Sequence, residues 1–203
     1  LTSMVFDLTD RIQHIYTGED KIVENSYRKI DEMLGKIFGF MDKDTLLLVV
    51  SDHGFRDFRW EFNVNMWLKE NGYLKLYETG GKGRYFKGVD WQNTVAYSLG
   101  YCGIYINQSG REREGIVPSE EVNNICIEIS EKLKTFENNN NGEKIFKEIY
   151  SSGEIYNGPY RENAPDLILG YREGYRTSWE SVTGNTCESE ILKRNDCRWS
   201  GDH

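Results

Sequence analysis

The sequence predicts an α/β domain with a mostly parallel central sheet flanked by helices, and three observations predict it. The stretch TLLLVV, residues 45–50, is apolar at five consecutive positions, as in a parallel strand covered on both faces. Between Glu19 and Met41 the apolar residues Ile22, Val23, Tyr27, Ile30, Met33, Leu34, Ile37 and Phe38 fall at helical spacing with one buried face. Ahead of them, SMVFDLTD reads as a short strand emptying into a loop. Strand, helix, strand is a βαβ unit.

The other elements follow in order. Asp42–Asp44 is a turn. Phe62–Asn71 reads as a short helix stopped by Asn71-Gly72. GGKGRYFKG, Gly80–Gly88, is a glycine-rich loop with the spacing of neither phosphate-binding glycine motif, so it is no nucleotide cradle. Thr94–Tyr97 and Gly103–Asn107 read as strands, and residues 72–107 as an insertion or edge hairpin. Ser119 is the expected N-cap of a helix whose inner face is Val122, Ile125, Cys126, Ile129 and Leu133. ENNNNGE, Glu137–Glu143, is a polar surface loop. Ile145–Tyr150 and Asp166–Gly170 are further strands. There are no internal repeats.

Composition narrows the function classes. The chain has 203 residues, enough for one domain with a core, and its 13% aromatic content argues against disorder. No apolar run approaches the ~20 residues of a membrane helix. The first residues have no basic region and no cleavable apolar core, so they are not a signal peptide. Net charge is −8 with no lysine or arginine cluster, which argues against a nucleic-acid groove. Cys102, Cys126, Cys187 and Cys197 form no CxxC pair, so reduced thiols and a cytoplasmic setting are the expectation, with an extracellular or membrane-anchored setting the alternative where an upstream segment carries a signal. Cys187 and Cys197 are close enough in sequence to pair in an oxidising compartment. The sequon Asn107-Gln108-Ser109 matters only on a glycosylating route. The chain begins with Leu and ends on His203, so both ends look cut, and a piece of a larger protein is expected.

The candidate site is read from the histidines. There are three, His14, His53 and His203, and each has an acid nearby: Asp10 four residues before His14, Asp52 before His53, Asp202 before His203. Asp10 and His14 share a helix face if one turn forms there. Asp52 and His53 follow the expected TLLLVV strand, at the edge where open α/β sheets bind ligands, and Gly54 lets the backbone turn sharply. Taken singly, each pair also reads as a helix cap or a solvated ion pair. Taken together, carboxylate and imidazole donors suit Zn²⁺ or a similar divalent ion, and the inventory is that of a two-metal hydrolase.

Three ordered motifs, DRIQH, SDHGF and the terminal GDH, carry a resemblance. With FNVNMWLKENGYL, YSLGYCGIYIN, GREREGI and APDLILGY between them, the chain resembles the alkaline phosphatase superfamily, in particular its type I phosphodiesterase/nucleotide pyrophosphatase branch. The resemblance spans nearly the whole chain. It implies an alkaline phosphatase-like catalytic domain of which residues 1–203 are the C-terminal portion. It implies that Asp10, His14 and His203 hold one metal ion, that Asp52 and His53 hold a second, and that both are divalent cations, Zn²⁺ with Mn²⁺ or another divalent ion as the alternative. It implies no ligand role for Ser51 or Asp202. The Ser or Thr nucleophile and a further aspartate are expected upstream of Leu1, so this portion alone is expected to be inactive. Arg59, Trp60 and Asn63 follow the SDHG loop and are the candidates for approaching substrate. The implied substrate is a small phosphodiester or nucleotide pyrophosphate. Phosphomonoesterase, phosphonate hydrolase, phosphoglycerate mutase and a non-catalytic relative are the alternatives. The WSGDH end is expected to run back to the DRIQH segment and bring His203 beside Asp10 and His14.

Overall fold

In the computed structural model, residues 2–79, 81–187 and 189–203 are described. The helices are α1 (Leu8–Tyr16), α2 (Asp20–Phe38), α3 (Val64–Glu70), α4 (Ser119–Lys134), α5 (Ser152–Ile155) and α6 (Trp179–Val182). The strands are β1 (Arg56–Phe62), β2 (Ala96–Leu99), β3 (Gly103–Ile106), β4 (Phe146–Ser151), β5 (Leu167–Tyr171), β6 (Gly174–Thr177), β7 (Leu192–Arg194) and β8 (Gly201–Asp202). The chain divides into two compact units, Leu1–Arg59 with Asn195–His203, and Trp60–Arg194.

In the first unit, α1 and α2 pack as a helical pair, and the Gln13 amide donates to the Tyr27 hydroxyl at 3.2 Å. Helix α2 forms where the apolar spacing placed it, but the expected buried face is only partly covered: Ile22, Val23, Ile30, Leu34 and Ile37 are half-buried, while Tyr27, Met33 and Phe38 are exposed. The strand expected in SMVFDLTD does not form. Residues 2–7 carry no regular structure, and the segment from Leu8 is already α1.

The larger correction is TLLLVV. Residues 45–50 form no strand, and Leu46, Leu48, Val49 and Val50 are 80, 74, 72 and 84% exposed. A strand needs a neighbour's N–H and C=O groups. No described strand runs alongside this segment, so its apolar pattern has no ladder to join. The βαβ unit is therefore not built, and the mostly parallel central sheet is corrected too. The architecture is mixed α/β, with two sheets, and β1–β7, β1–β8, β2–β3, β3–β5 and β4–β5 all pair antiparallel.

The second unit holds the core. Its main sheet runs in the order β2-β3-β5-β4. The three residues between β2 and β3 permit only a hairpin, registered Ala96 to Ile106 through Leu99 to Gly103. Helix α4 covers β3 and β4 with Cys126, Ile129 and Leu133 buried, and its N-cap is Pro118 rather than Ser119. Phe62, Leu68, Ile104, Ile106, Ile145 and Leu167 are among the fully buried side chains of the same core. The GREREGI and APDLILGY segments meet here. Arg111 donates bidentately to Asp166, at 2.9 and 2.6 Å, and to the Ile106 carbonyl, tying the end of β3 to the start of β5. β1 lies between β6 and β7.

Three expected features need finer statement. The glycine-rich loop begins on Gly80, which lies outside the described residues; the rest is tied down through Thr186, whose hydroxyl donates to the Lys87 carbonyl at 2.6 Å and accepts from the Gly83 amide at 3.0 Å. The polar loop after α4 contains a wholly buried Asn138, whose amide donates to the Tyr175 hydroxyl. Asn107 of the sequon is buried, its amide donating to the carbonyls of Trp91, Thr94 and Glu114, so the folded chain offers no glycosylation acceptor there.

Candidate metal centre

Helix α1 sets the first two donors. Asp10 and His14 are one turn apart, and Asp10 Oδ1 lies 3.7 Å from His14 Nε2. That is too far for a hydrogen bond.

The C-terminal segment returns to this helix. β8 pairs antiparallel with Arg56 and Asp57 of β1, and the Phe58 amide donates to the Ser200 carbonyl at 2.8 Å. The Ser200 amide donates to the His14 carbonyl at 3.0 Å. Gly201 rests directly on α1: a Cβ there would collide with the Gln13 carbonyl and the Thr17 hydroxyl, so close approach rather than a special φ demands glycine. This contact delivers His203. Donor atoms of Asp10, His14 and His203 all lie within 4.8 Å of one another.

The SDHG loop adds the rest. His53 stacks face to face on His203, ring centroids 3.6 Å apart and 5° from parallel. His53 Nε2 lies 3.9 Å from Asp10 Oδ1 and 3.7 Å from Asp52 Oδ2. Phe55 meets the edges of His14, His53 and His203 at 4.9, 5.6 and 5.3 Å, an apolar plug among three imidazoles. Ser51 donates its hydroxyl to the His53 carbonyl at 2.6 Å and so braces the loop.

The tautomers follow from the partners. His14 Nδ1 is 2.9 Å from the Gly201 carbonyl, and His53 Nδ1 is 3.0 Å from the Gly54 carbonyl. A carbonyl oxygen only accepts, so each Nδ1 carries the proton and each Nε2 keeps its lone pair in the neutral ring. Both free Nε2 atoms face Asp10 Oδ1. Asp10, His14 and His203 could hold a metal ion between them, and three such protein ligands would leave a position open for a reactant. Imidazole and carboxylate donors suit Zn²⁺ and admit Mn²⁺.

Asp10, His14, Asp52, His53 and His203 are thus brought together. Asp52 stands at the rim, with its side chain 90% exposed. The three substrate candidates are placed differently. Arg59 is exposed and donates to Asp57 at 3.3 Å. Trp60 and Asn63 belong to the second unit. Trp60 packs against its core, and Asn63 is buried as the N-cap of α3, accepting from the Met66 amide and the Ser181 hydroxyl and donating to Ser189. Sequence reasoning did not find the anchoring carbonyls, which leave no residue signature, nor the Trp199 ring that stacks on His14 at 4.1 Å.

The family model for type I phosphodiesterase / nucleotide pyrophosphatase matches residues 1–195. No curated protein matches the chain, and no solved structure does.

Proposed function

Because the chain belongs to the type I phosphodiesterase / nucleotide pyrophosphatase family, a branch of the alkaline phosphatase superfamily, we propose that it supplies the metal-binding part of a phosphoester hydrolase acting on small phosphodiesters or nucleotide pyrophosphates. Asp10, His14 and His203 would hold one divalent ion, and Asp52 with His53 would contribute to a second, Zn²⁺ being favoured at both. The observation that carries this reading is the pair of imidazoles, His14 and His53, each tied at Nδ1 to a backbone carbonyl and each presenting Nε2 to the same Asp10 oxygen.

A divalent ion held there supplies Lewis acidity, neutralising phosphoryl charge as the ester bond breaks. The chain's own residues prepare that place. The carbonyls of Gly201 and Gly54 fix the rings, Asp10 brings negative charge against both, and Phe55 packs edge-on against all three imidazoles. The family resemblance assigns the Ser or Thr nucleophile to a segment upstream of Leu1, so residues 1–203 are read as the C-terminal portion of one catalytic domain, without turnover by themselves. The exposed apolar side chains of Leu46, Leu48, Val49 and Val50 support this reading, since such a run suits a strand covered by further elements. No helix among the described residues is long and apolar enough to cross a membrane. Four free thiols, two of them exposed, favour a reducing compartment and hence the cytoplasm.

The test has two arms. Zn²⁺ titration of the 203-residue protein should show binding that His14→Ala abolishes and Asp10→Asn weakens at least ~10-fold. A longer protein carrying the upstream segment should hydrolyse a bis(nitrophenyl) phosphate ester in preference to the monoester, and lose that turnover with His203→Ala. Zn²⁺ affinity unchanged by His14→Ala would overturn the site. A preference for the monoester would move the activity to phosphomonoesterase.

A further inference from the structure

Trp199 makes contacts that the ligand set does not explain. Its ring lies on His14, centroids 4.1 Å apart and 21° from parallel. On another side of the same imidazole, Phe55 stands edge-on at 81°. The Nδ1–H of the same ring donates to the Gly201 carbonyl. One hydrogen bond fixes where Nδ1 points. It leaves the ring free to rock about the line from Nδ1 to the acceptor, and rocking sweeps Nε2 sideways. A flat ring against the imidazole face removes that freedom, and an aromatic plate does so with little side-chain entropy of its own.

The segment bearing Trp199 is itself clasped to α1. The Arg198 guanidinium sits 4.5 Å over the Tyr16 ring and reaches Glu19 at 3.9 Å. The Asn195 amide donates to the Trp199 carbonyl at 2.8 Å, and the Ser200 amide to the His14 carbonyl at 3.0 Å. Trp199 is therefore held from both sides along the chain, while the position of His14 is fixed by helix α1. The stack is a contact between two supported elements.

We propose that Trp199 is a positioning residue, which by stacking on His14 holds the imidazole with Nε2 turned to Asp10 and thereby sets metal affinity at that position. The proposal rests on the metal-centre reading above. Its structural half, ring orientation, does not need the metal, and this separates the two.

Three variants of the full 203-residue chain decide it: W199A, W199F and W199L. Imidazole ¹⁵N chemical shifts of His14, assigned by comparison with His14→Ala, report tautomer and ring averaging in the metal-free protein. Zn²⁺ affinity is read by chelator competition. In the wild type His14 should show one Nδ1–H tautomer. In W199A its two nitrogen shifts should move toward each other as the ring averages, and Zn²⁺ affinity should fall about 10- to 100-fold, the size seen when a group supporting a ligand is lost. W199F, which keeps a flat face, should restore the tautomer signature and affinity to within ~3-fold of wild type. Should W199A lose its far-ultraviolet dichroism, W199L replaces it, since leucine keeps the apolar bulk and lacks the plate. Wild-type shifts and affinity in the folded non-aromatic variant would overturn the proposal and leave the metal centre standing. A wild-type protein that binds neither Zn²⁺ nor Mn²⁺ would overturn the metal-centre reading and, with it, the role of Trp199 in affinity; the nitrogen shifts then still decide whether it orients His14.

Discussion

Four free thiols occupy different environments, and their chemistry should separate accordingly. Cys126 lies on the inner face of α4, where burial pushes its thiol up to about 12. Burial also raises Cys102, which is half-buried. Cys187 and Cys197 are exposed. The thiolate is the reactive form, so a raised value means a protonated, unreactive sulfur at mildly alkaline pH. At pH 8 an aromatic disulfide reagent should therefore label Cys187 and Cys197 promptly, Cys102 more slowly, and Cys126 only after denaturation, as read by peptide mass mapping. Labelling of native Cys126 as fast as Cys197 would contradict its packing. At this same scale the acids and histidines that the structure gathers, Asp10, His14, Asp52, His53 and His203, were legible in sequence, because three short motifs pair acids with histidines. The Gly201 and Gly54 carbonyls were not, because every residue has one.

Among the elements, α3 shows how much one side chain can organise. Its apolar residues made the helix legible, and its end falls at Asn71-Gly72, with Gly72 at φ 84°. The start is set by Asn63, which accepts from the Met66 amide at 3.1 Å and the Ser181 hydroxyl at 2.9 Å. Asn63→Ala should cost roughly 2–3 kcal/mol in urea denaturation, since a cap is lost and a buried hydroxyl loses its acceptor. Asn63→Ser keeps a capping oxygen and loses the amide donor to Ser189, so about 1 kcal/mol is expected. Equal losses in the two variants would show that the cap is not the reason. Strand β1 was legible but unread. Phe58, Trp60 and Phe62 alternate with Arg59 and Glu61, a period-2 pattern with Phe58 and Phe62 buried. The charges around them disguised it.

At the scale of the whole chain, burial is unevenly shared. The contiguous apolar core lies within Trp60–Arg194, whereas the first unit leaves Leu46, Leu48, Val49 and Val50 exposed. A unit that encloses its own core is expected to fold by itself. Residues 60–194 expressed alone should therefore unfold in one cooperative urea transition and show near-ultraviolet dichroism. They should bind little of the dye ANS, while the 203-residue chain binds it strongly through its exposed apolar run. Dye binding by residues 60–194 equal to that of the full chain would refute this partition.

The sequence by itself determined the family and the inner face of α4, and it singled out the acids and histidines that the structure gathers. Each of these is written in local spacing or in short motifs. The tertiary structure decided what depends on distant partners. Whether TLLLVV joins a sheet depends on a neighbour to accept its hydrogen bonds, and apolar runs say only that a segment favours cover. The direction of the strands came from short connections and register, not from composition. The tautomer of His14 was settled by the Gly201 carbonyl, 187 residues away along the chain. A side chain's chemistry is local, but the atom it offers to a metal is chosen by whatever the fold places against its other side.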